Sequence, residues 1–286
     1  MIKSNLKIGF VFVNYNNSLI TRNLISSLKT QDLQSKQSIV IVDNLSDKKN
    51  IEVLRQIDVD NDNVVVIYSN ENLGYFRALN CGLAYLKNNL KDVEIFVIGN
   101  NDLFFPNDFL SNVSSNLELL DLYPVISPNI VTSNGEYQNP HVIRKISFIR
   151  ELVYDLYYLN RYLAYMILKL SKMTKKVSDR SDESQHEIAQ LIYQGHGSCY
   201  ILGPLFFENF DDLFAPTFLF GEEFFLSYQL KSKGFQVYYE PKIKIIHECH
   251  STISKMPSEK MWRIGKVAHK EYRKYIKMSN LYKLKM

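Results

Sequence analysis

The residues best suited to chemistry in this sequence are acidic side chains that follow apolar runs. Asn100-Asn101-Asp102 closely follows the run 93–98, and Asp43 ends the run 38–43. A carboxylate at the end of a buried strand can hold a divalent cation against a diphosphate, or hydrogen-bond a base or ribose. Asn and Asp are also favoured in turns for conformational reasons, so a simple turn is the alternative at both places.

A second candidate is the pair Glu222-Glu223, which lies among the aromatic residues of the segment 218–225. Partial desolvation by such neighbours raises the pKa of a carboxylate and suits it to general-base catalysis. The alternative is an ordinary helix start, where acidic residues are stabilised by the helix dipole. The residues alone favour neither interpretation.

The third candidate is His247, which directly follows the apolar run 243–246 and precedes His250 and Ser251. A neutral imidazole is a good ligand for ions such as Mn²⁺. A histidine that closes a strand can also be purely structural, and that is the alternative here.

The elements that must position these candidates begin with an alternating pattern in the first 105 residues. Strands are predicted over 7–13, 38–43, 64–68 and 93–98, with helices from about 18, over 49–57 and over 75–88 between them. Such alternation predicts βαβ units and a mostly parallel sheet. Each strand ends in a loop rich in Asn, Asp and Gly, where open α/β sheets bind ligands. Residues 1–105 are therefore predicted to form a nucleotide-binding half.

The rest of the chain is richer in helix. Helices are predicted near 108–120 and from 221 to 233, and strands over 125–131 and 235–239. Residues 144–180 are predicted to be a helical insertion, rich in Tyr and Leu, with nine basic and three acidic residues. The segment 255–286, with ten basic and two acidic residues, is predicted to be a basic helical tail.

Composition excludes several classes of protein. The 286 residues are 46% hydrophobic and 22% charged, which is typical of a globular chain and excludes extended disorder. The three cysteines show no CxxC pairing, which predicts a reduced compartment without structural disulfides. No signal peptide or membrane-spanning run is recognised, so we expect a cytoplasmic protein. The basic residues accompany no nucleic-acid-binding motif, and nucleic acid is not an expected partner.

Six short sequence motifs follow one another along the chain. The first three are Val13-Asn14-Tyr15-Asn16, Val42-Asp43-Asn44-Leu45-Ser46-Asp47, and Asn70-Glu71-Asn72-Leu73-Gly74 continuing to Asn80-Cys81-Gly82. The last three are Asn100-Asn101-Asp102, Phe220-Gly221-Glu222-Glu223 with Gly234 eleven residues later, and His247. Together they resemble the motifs of the family 2 glycosyltransferases, in particular the rhamnosyltransferase-like branch that builds bacterial surface polysaccharides. The resemblance covers roughly residues 6–252.

This resemblance implies a fold. We expect the GT-A architecture, an α/β fold in which a mixed, mostly parallel central sheet is flanked by helices. It would occupy residues 1–254 as one catalytic domain, with a nucleotide-binding half at 1–105 and an acceptor half at 106–254 that includes the insertion near 144–180. The basic helical tail 255–286 would follow.

The resemblance also implies roles for individual residues. Glu223 takes the position of the catalytic base, where the family usually has Asp, and Glu222 supports the site from behind. Asp102 would bind a divalent cation, Mg²⁺ or Mn²⁺, with His247 near the same metal. The nucleotide-sugar site would comprise Val13, Asn14, Asp43, Asn72, Gly74, Arg77, Asn101 and Asp102, with the first three at the base and ribose.

Two departures from the family pattern stand out. Arg77 stands where this branch commonly has a small residue, and it either contacts phosphate or packs at the surface. Gly221 and the pair Phe224-Phe225 replace more usual residues around the acidic pair, so we expect a different acceptor pocket.

The implied activity is inverting transfer of a sugar from a nucleotide-sugar donor, dTDP-rhamnose or a UDP-hexose, to a hydroxyl of a saccharide or lipid-linked saccharide. The product would belong to a polysaccharide such as O-antigen or capsule. A non-catalytic nucleotide-sugar-binding or scaffold protein of the same fold is the alternative, and the acidic residues at 102 and 223 speak against it.

The basic helices leave two interpretations open. A basic amphipathic helix can lie at a lipid interface, which would give peripheral contact with an anionic membrane at the inner face of the cell membrane. Alternatively, residues 144–180 form a helical hairpin that packs on the catalytic domain and keeps a solvated basic face.

Overall fold

The predicted nucleotide-binding half forms four adjacent parallel strands. A computed structural model describes residues 7–31, 36–90, 92–173, 182–248 and 258–283. Its first strands lie in the order β3-β2-β1-β4, and all three pairings are parallel. Their bounds are β1 (Lys7–Asn14), β2 (Lys36–Asp43), β3 (Val64–Tyr68) and β4 (Ile95–Asn100). The connections are α1 (Ser18–Lys29), α2 (Lys48–Val59) and α3 (Tyr75–Asn89). Each strand and helix predicted here is confirmed to within a few residues.

Five further strands complete a nine-stranded sheet: β5 (Leu103–Phe104), β6 (Val125–Thr132), β7 (Gln190–Ile192), β8 (Cys199–Leu202) and β9 (Val237–His247). β8 lies antiparallel between β4 and β6, and β9 runs parallel to β6. β5 and β7 both pair antiparallel with the outer edge of β9. Six of the nine strands point in one direction, which confirms the predicted mixed, mostly parallel sheet.

Two details of the second half differ from prediction. The helix expected near 108–120 is two short helices, α4 (Phe109–Ser115) and α5 (Glu118–Leu122). The strand expected over 235–239 continues through the apolar run 243–246 as the single strand β9. A register shift between Pro128 and Asn129 of β6 lets the two strands stay paired along this length.

The core consists of one apolar layer on each face of the sheet. Alternation along β1 places Ile8, Phe10 and Phe12 in one layer and Val11 in the other. The second layer includes α3, which approaches β1 so closely that a Cβ at Gly82 would lie 2.3 Å from the Val11 side chain. The helices are thereby held against the strands whose ends carry the candidate site.

The predicted insertion and tail form a helical unit of α6 (Phe148–Leu159), α7 (Arg161–Met173) and the long α10 (Glu259–Lys283). Asn160, in an extended conformation, separates the first two helices, and its Oδ1 accepts from Leu163 N at 2.9 Å. α10 packs on α6, where Trp262 Nε1 donates to Tyr157 O at 3.3 Å.

Helix α10 also joins this helical unit to the domain that contains the sheet. Two short helices precede it in the second half of the chain, α8 (Pro204–Asn209) and α9 (Glu222–Lys231). Phe224 and Phe225 of α9 cluster with Ile276 of α10. The insertion therefore packs on the domain through the tail. Residues 174–180 of the insertion, and Cys249, His250 and Ser251, lie outside the described residues.

No helix within the described ranges is both long and apolar enough to cross a bilayer. Cys81 and Cys199 are free thiols, and Cys199 is buried in β8.

Candidate active site

A buried polar network joins the loops that follow β1, β2 and β4. At its centre is Asn14, which is fully buried and whose Nδ2 donates to Asp43 Oδ1 at 2.8 Å and to Ser46 Oγ at 3.0 Å. The Oδ1 atom of Asn14 accepts from Thr21 Oγ1 at 2.9 Å and from Asn101 Nδ2 at 3.1 Å. Because buried polar groups are costly unless paired, this network fixes the three loops relative to one another.

Asp43 is only 1% exposed, and its second oxygen accepts from Ser46 N at 3.0 Å. This hydrogen bond is the turn-capping arrangement, one of the two possibilities that the sequence left open, and contact of Asp43 with a base or ribose stays a prediction. Asn101 is also buried and bonded within the network. Val13, at the end of β1, is half-buried.

The segment around Gly74 contacts the loop that leads to Glu222 and Glu223. Gly74 adopts φ +83°, and a Cβ there would lie 2.0 Å from Phe218 O. Asn72 closes the turn through its Oδ1, which accepts from Gly74 N at 3.1 Å. Arg77 is exposed, and its Nε donates to Ala215 O at 3.3 Å. These residues therefore position the loop 213–221.

Asp102 and His247 meet at the carboxyl end of β4 although 145 residues separate them in sequence. Asp102 Oδ1 lies 3.1 Å from His247 Nε2, and Glu248 N donates to Asp102 O at 2.8 Å. The other ring nitrogen, Nδ1, lies 2.7 Å from Gln138 Oε1. Gln138 Oε1 is placed to accept a hydrogen bond from Nδ1 of His247, which orients the imidazole with Nε2 toward Asp102.

This pair fits a divalent cation. Two neighbouring ligands of an octahedral ion with bonds of about 2.1 Å lie about 3 Å apart, close to the 3.1 Å between Asp102 Oδ1 and His247 Nε2. Gln138 is the kind of outer partner that metal-binding histidines have. Within the described residues, no group of three or more His, Cys, Asp or Glu side chains is arranged to hold a metal. Further ligands would therefore be diphosphate oxygens and water, as Mg²⁺ sites commonly use.

Glu223 lines a cavity of about 240 Å³ between α9 and the helical unit. Its Oε1 accepts from Gly197 N at 3.2 Å, and a Cβ at residue 197 would lie 2.6 Å from that oxygen. Aromatic side chains form much of the remaining wall, among them Tyr154, Tyr158, Phe220, Phe224 and Tyr272. Glu223 is thus the acidic side chain of the pair that faces space for a ligand.

Glu222, unlike Glu223, does not line this cavity. It is buried, and its Oε1 accepts from Phe220 N at 3.0 Å. Burial in the first place, and the neighbouring Glu223 charge in the second, raise the pKa of Glu222 to about 8. Glu222 is therefore mostly protonated at neutral pH, which suits a supporting position better than a proton acceptor.

The protonation of Glu222 predicts a dependence of stability on pH. Between pH 4.5 and about 8 the folded state binds a proton that the unfolded state releases, so the free energy of unfolding falls as pH rises through this window. Replacing Glu222 by Gln keeps the neutral form at every pH. We expect the variant to match the wild type near pH 5 and to exceed it by about 2–4 kcal/mol at pH 8.5.

Urea unfolding followed by circular dichroism at both pH values measures this difference. Glu208→Gln, at an exposed glutamate of α8, is the control and should leave the pH profile unchanged. A Glu222→Gln profile parallel to that of the wild type would contradict the assignment of a buried neutral carboxyl.

Tyr75 shows that the acidic groups share one region. Its hydroxyl donates to Gly197 O at 2.9 Å, so residue 197 links it to Glu223. Burial raises the pKa of Tyr75 well above its ordinary value, and the nearby charges of Glu222, Asp102 and Glu223 raise it further. The His196 ring, one residue earlier, lies 5.7 Å from the His247 ring. The segment 195–198 therefore lies between Glu223 and the Asp102–His247 pair.

Sequence reasoning missed Tyr75, Gln138 and Gly197 as parts of this site. The glycines of Gly195-His196-Gly197-Ser198 offered a signal, because residue 197 must lack a side chain for Glu223 to approach. Nothing in the sequence pairs Gln138 with a histidine 109 residues away.

Backbone strain is concentrated in the same loops. Within the described ranges, the non-glycine residues with positive φ are Asn16, Leu45 and Phe220. They lie after β1, after β2 and two residues before Glu222. Such conformations cost of order 1 kcal/mol or more and tend to be kept at ligand-binding sites.

The amino-acid sequence matches the model of one protein family, described as Glycosyl transferase family 2, over residues 10–173. No curated protein matches it. These residues include β1 to β6 and the Asp102 loop, whereas Glu222, Glu223 and His247 lie beyond the match.

Solved structures of glycosyltransferases resemble the fold. TarS residues 1–349 from S. aureus has a TM-score of 0.54 at 12% identity, covering 85% of this chain and 60% of that one. GalNAc-T7 with UDP, GalNAc and Mn²⁺ has a TM-score of 0.57 at 12% identity, covering 85% and 44%. The mannosyltransferase PcManGT from Pyrobaculum calidifontis, in complex with GDP-Man and Mn²⁺, has a TM-score of 0.52 at 16% identity, covering 84% and 56%.

This chain thus spans roughly half the length of those proteins. At such identities the likeness establishes the fold alone, and that fold is the expected GT-A architecture. The rhamnosyltransferase-like branch stays a prediction.

Proposed function

Because the chain belongs to glycosyl transferase family 2, we propose that it is a metal-dependent, inverting hexosyltransferase acting on a nucleotide-sugar donor and an acceptor hydroxyl. The observation that carries this proposal is the arrangement at the carboxyl ends of the strands. The pair Asp102 and His247, which would hold the cation, and the cavity-lining carboxylate Glu223 flank the segment 195–198.

The donor is proposed to lie across the ends of β1, β2 and β4. Val13 would contact the base and ribose directly, whereas Asn14, Asp43 and Asn101 are buried and would act by holding the loop backbone in place. Asn72 and Gly74 would hold the loop backbone in place at the start of α3. Arg77 is exposed and would contact a phosphate of the donor.

Asp102 and His247 would hold the divalent cation, Mg²⁺ or Mn²⁺, with Gln138 orienting the imidazole. A cation at this position supplies positive charge to a leaving nucleoside diphosphate. This role is supported by the donor types and their 3.1 Å separation. The pairing of Leu103 with His247 at the edge of the sheet holds both ligands on rigid backbone.

Glu223 is proposed to accept the proton of the acceptor hydroxyl as that oxygen attacks the anomeric carbon from the face opposite the leaving group. One displacement without a covalent intermediate inverts the anomeric configuration. The Gly197 N–H holds one carboxylate oxygen and leaves the other for the acceptor. The aromatic wall of the cavity suits the apolar faces of a sugar ring.

More finely, we propose dTDP-rhamnose or a UDP-hexose as donor and a saccharide or lipid-linked saccharide as acceptor, in the synthesis of a surface polysaccharide such as O-antigen or capsule. The enzyme would work in the cytoplasm, at the inner face of the membrane. A nucleotide-sugar-binding protein without activity is the second candidate, and retention of both Asp102 and Glu223 favours the enzyme.

A panel of nucleotide sugars tested by thermal shift, with and without Mg²⁺ or Mn²⁺, examines this proposal. A true donor at about 100 times its dissociation constant should stabilise the fold by about 2.7 kcal/mol, and removal of the cation should abolish most of that gain. Release of nucleoside diphosphate on adding acceptor separates an enzyme from a binding protein. Equal shifts with and without metal would contradict the cation site.

A further inference from the structure

Helix α6 has the opposite arrangement of polar and apolar side chains from an ordinary surface helix. Its polar side chains face inward: buried Glu151 accepts from Tyr272 Oη at 2.6 Å and pairs with Arg273 at 2.9 Å. Asp155 pairs with His269 at 2.8 Å. Its apolar side chains face solvent, and Phe148 is 80% exposed. They recur on one face of the helix: Phe148, Ile149, Leu152, Val153, Leu156 and Leu159.

Helix α7 extends this apolar surface. Tyr162, Tyr165, Met166 and Leu170 are exposed on a helix that packs directly on α6. Of the 24 exposed large apolar side chains in the described part of the chain, 10 lie on these two helices, which comprise 25 residues. Exposed apolar side chains clustered in this way indicate an interaction surface, whereas on an ordinary protein surface they are scattered singly.

A row of cations borders the apolar surface. Arg263, Lys266, Lys270 and Lys274 project from one face of α10 and are all exposed. They line a groove of about 640 Å³ that α10 forms with the end of α6, where Leu159 joins the two surfaces. The three helices together carry 12 Lys and Arg against 4 Asp and Glu.

We propose that the apolar face of α6 and α7, together with the cationic row of α10, docks on an anionic phospholipid bilayer. The apolar side chains would enter the boundary between headgroups and acyl chains, and the cations would lie at the lipid phosphates. A second copy of this chain fits less well, because it would bring one strongly cationic helical unit against another. This inference specifies the surface for the membrane contact in the proposed function but does not depend on glycosyl transfer.

Co-sedimentation of the full chain with vesicles tests the surface. We expect binding to phosphatidylglycerol vesicles and at least about tenfold weaker binding to phosphatidylcholine vesicles, with the preference lost in high salt. The double variant Ile149→Glu, Leu156→Glu should lower binding to anionic vesicles at least about tenfold, since both exposed side chains would become charged at the lipid boundary. Lys270→Glu should lower it less, and salt should reduce the difference.

The matched control is Val59→Glu, Leu122→Glu, which places the same charge at exposed apolar positions of α2 and α5. It should bind vesicles like the wild type. Circular dichroism melts establish that all variants fold, and donor-induced thermal shifts without vesicles report the proposed function separately. Equal binding of the two double variants would overturn the proposal. So would a wild type that ignores vesicles but forms a dimer that Ile149→Glu, Leu156→Glu dissociates in sedimentation velocity.

Discussion

Replacing Glu223 by Gln is expected to lower the rate of sugar transfer by about 10²–10⁴-fold while the protein still folds and binds donor. The amide oxygen of Gln can accept from Gly197 N as the carboxylate does, so the cavity wall keeps its shape. What the variant loses is the group that takes the acceptor proton. Initial rates of nucleoside diphosphate release at saturating donor and acceptor measure the loss, and a thermal shift with donor measures binding.

Two neighbouring substitutions make this result specific. Glu223→Asp keeps a carboxylate with a shorter reach and should retain more activity than the Gln variant. Glu222→Gln replaces a side chain that is mostly neutral at pH 7, so its rate should fall far less. An inactive Glu222→Gln beside an active Glu223→Gln would move the proton acceptor to residue 222.

Asp102→Asn is expected to weaken binding of Mn²⁺ by at least about 100-fold, because losing even an outer partner of a metal ligand costs 10–100-fold. The amide keeps the size of the side chain and its place beside His247. Its oxygen lacks the negative charge that a hard cation prefers. Titration of Mn²⁺ followed by electron paramagnetic resonance, with nucleoside diphosphate present, measures the affinity without relying on turnover.

Asp108→Asn is the matched control for this experiment. Asp108 is an exposed aspartate six residues further on, outside the loop that carries Asp102. Its substitution should leave Mn²⁺ affinity within about twofold of the wild type, since Asp108 is exposed to solvent and its carboxylate accepts from Asn112. Wild-type affinity in Asp102→Asn would show that the cation binds elsewhere.

Much of the fold could be predicted because its signals are local. β1 and β4 are buried on both faces and appear as nearly continuous apolar runs, so their composition and length suffice to find them. The position of β8 between β4 and β6 could not be predicted, since that pairing joins residues about 100 apart. The break between α4 and α5 was missed because Asn116 and Leu117 interrupt the helix without Gly or Pro.

The candidate site, like the fold, could be predicted only where its signals are local in sequence. Asp102, Glu223 and His247 lie in recognisable sequence motifs: Asp102 follows β4, Glu223 lies in the first turn of α9, and His247 ends β9. Asn14, Asp43 and Asn101 were expected to contact the donor; that contact stays a prediction, while their burial and mutual hydrogen bonds are features that the sequence did not indicate. Their orientation depends on three strand ends meeting in space, which composition and spacing do not specify.

The contact between Asp102 and His247 has a consequence for biosynthesis. On the ribosome, the nucleotide-binding strands emerge long before β9, and domains generally acquire structure from the amino-terminal side as the chain grows. The two ligands can meet only after Leu103 has paired with His247, one of the last pairings of the sheet. A nascent chain halted before residue 247 could therefore form the first four strands but would lack one of the two proposed cation ligands, so the proposed metal site can be completed only near the end of synthesis.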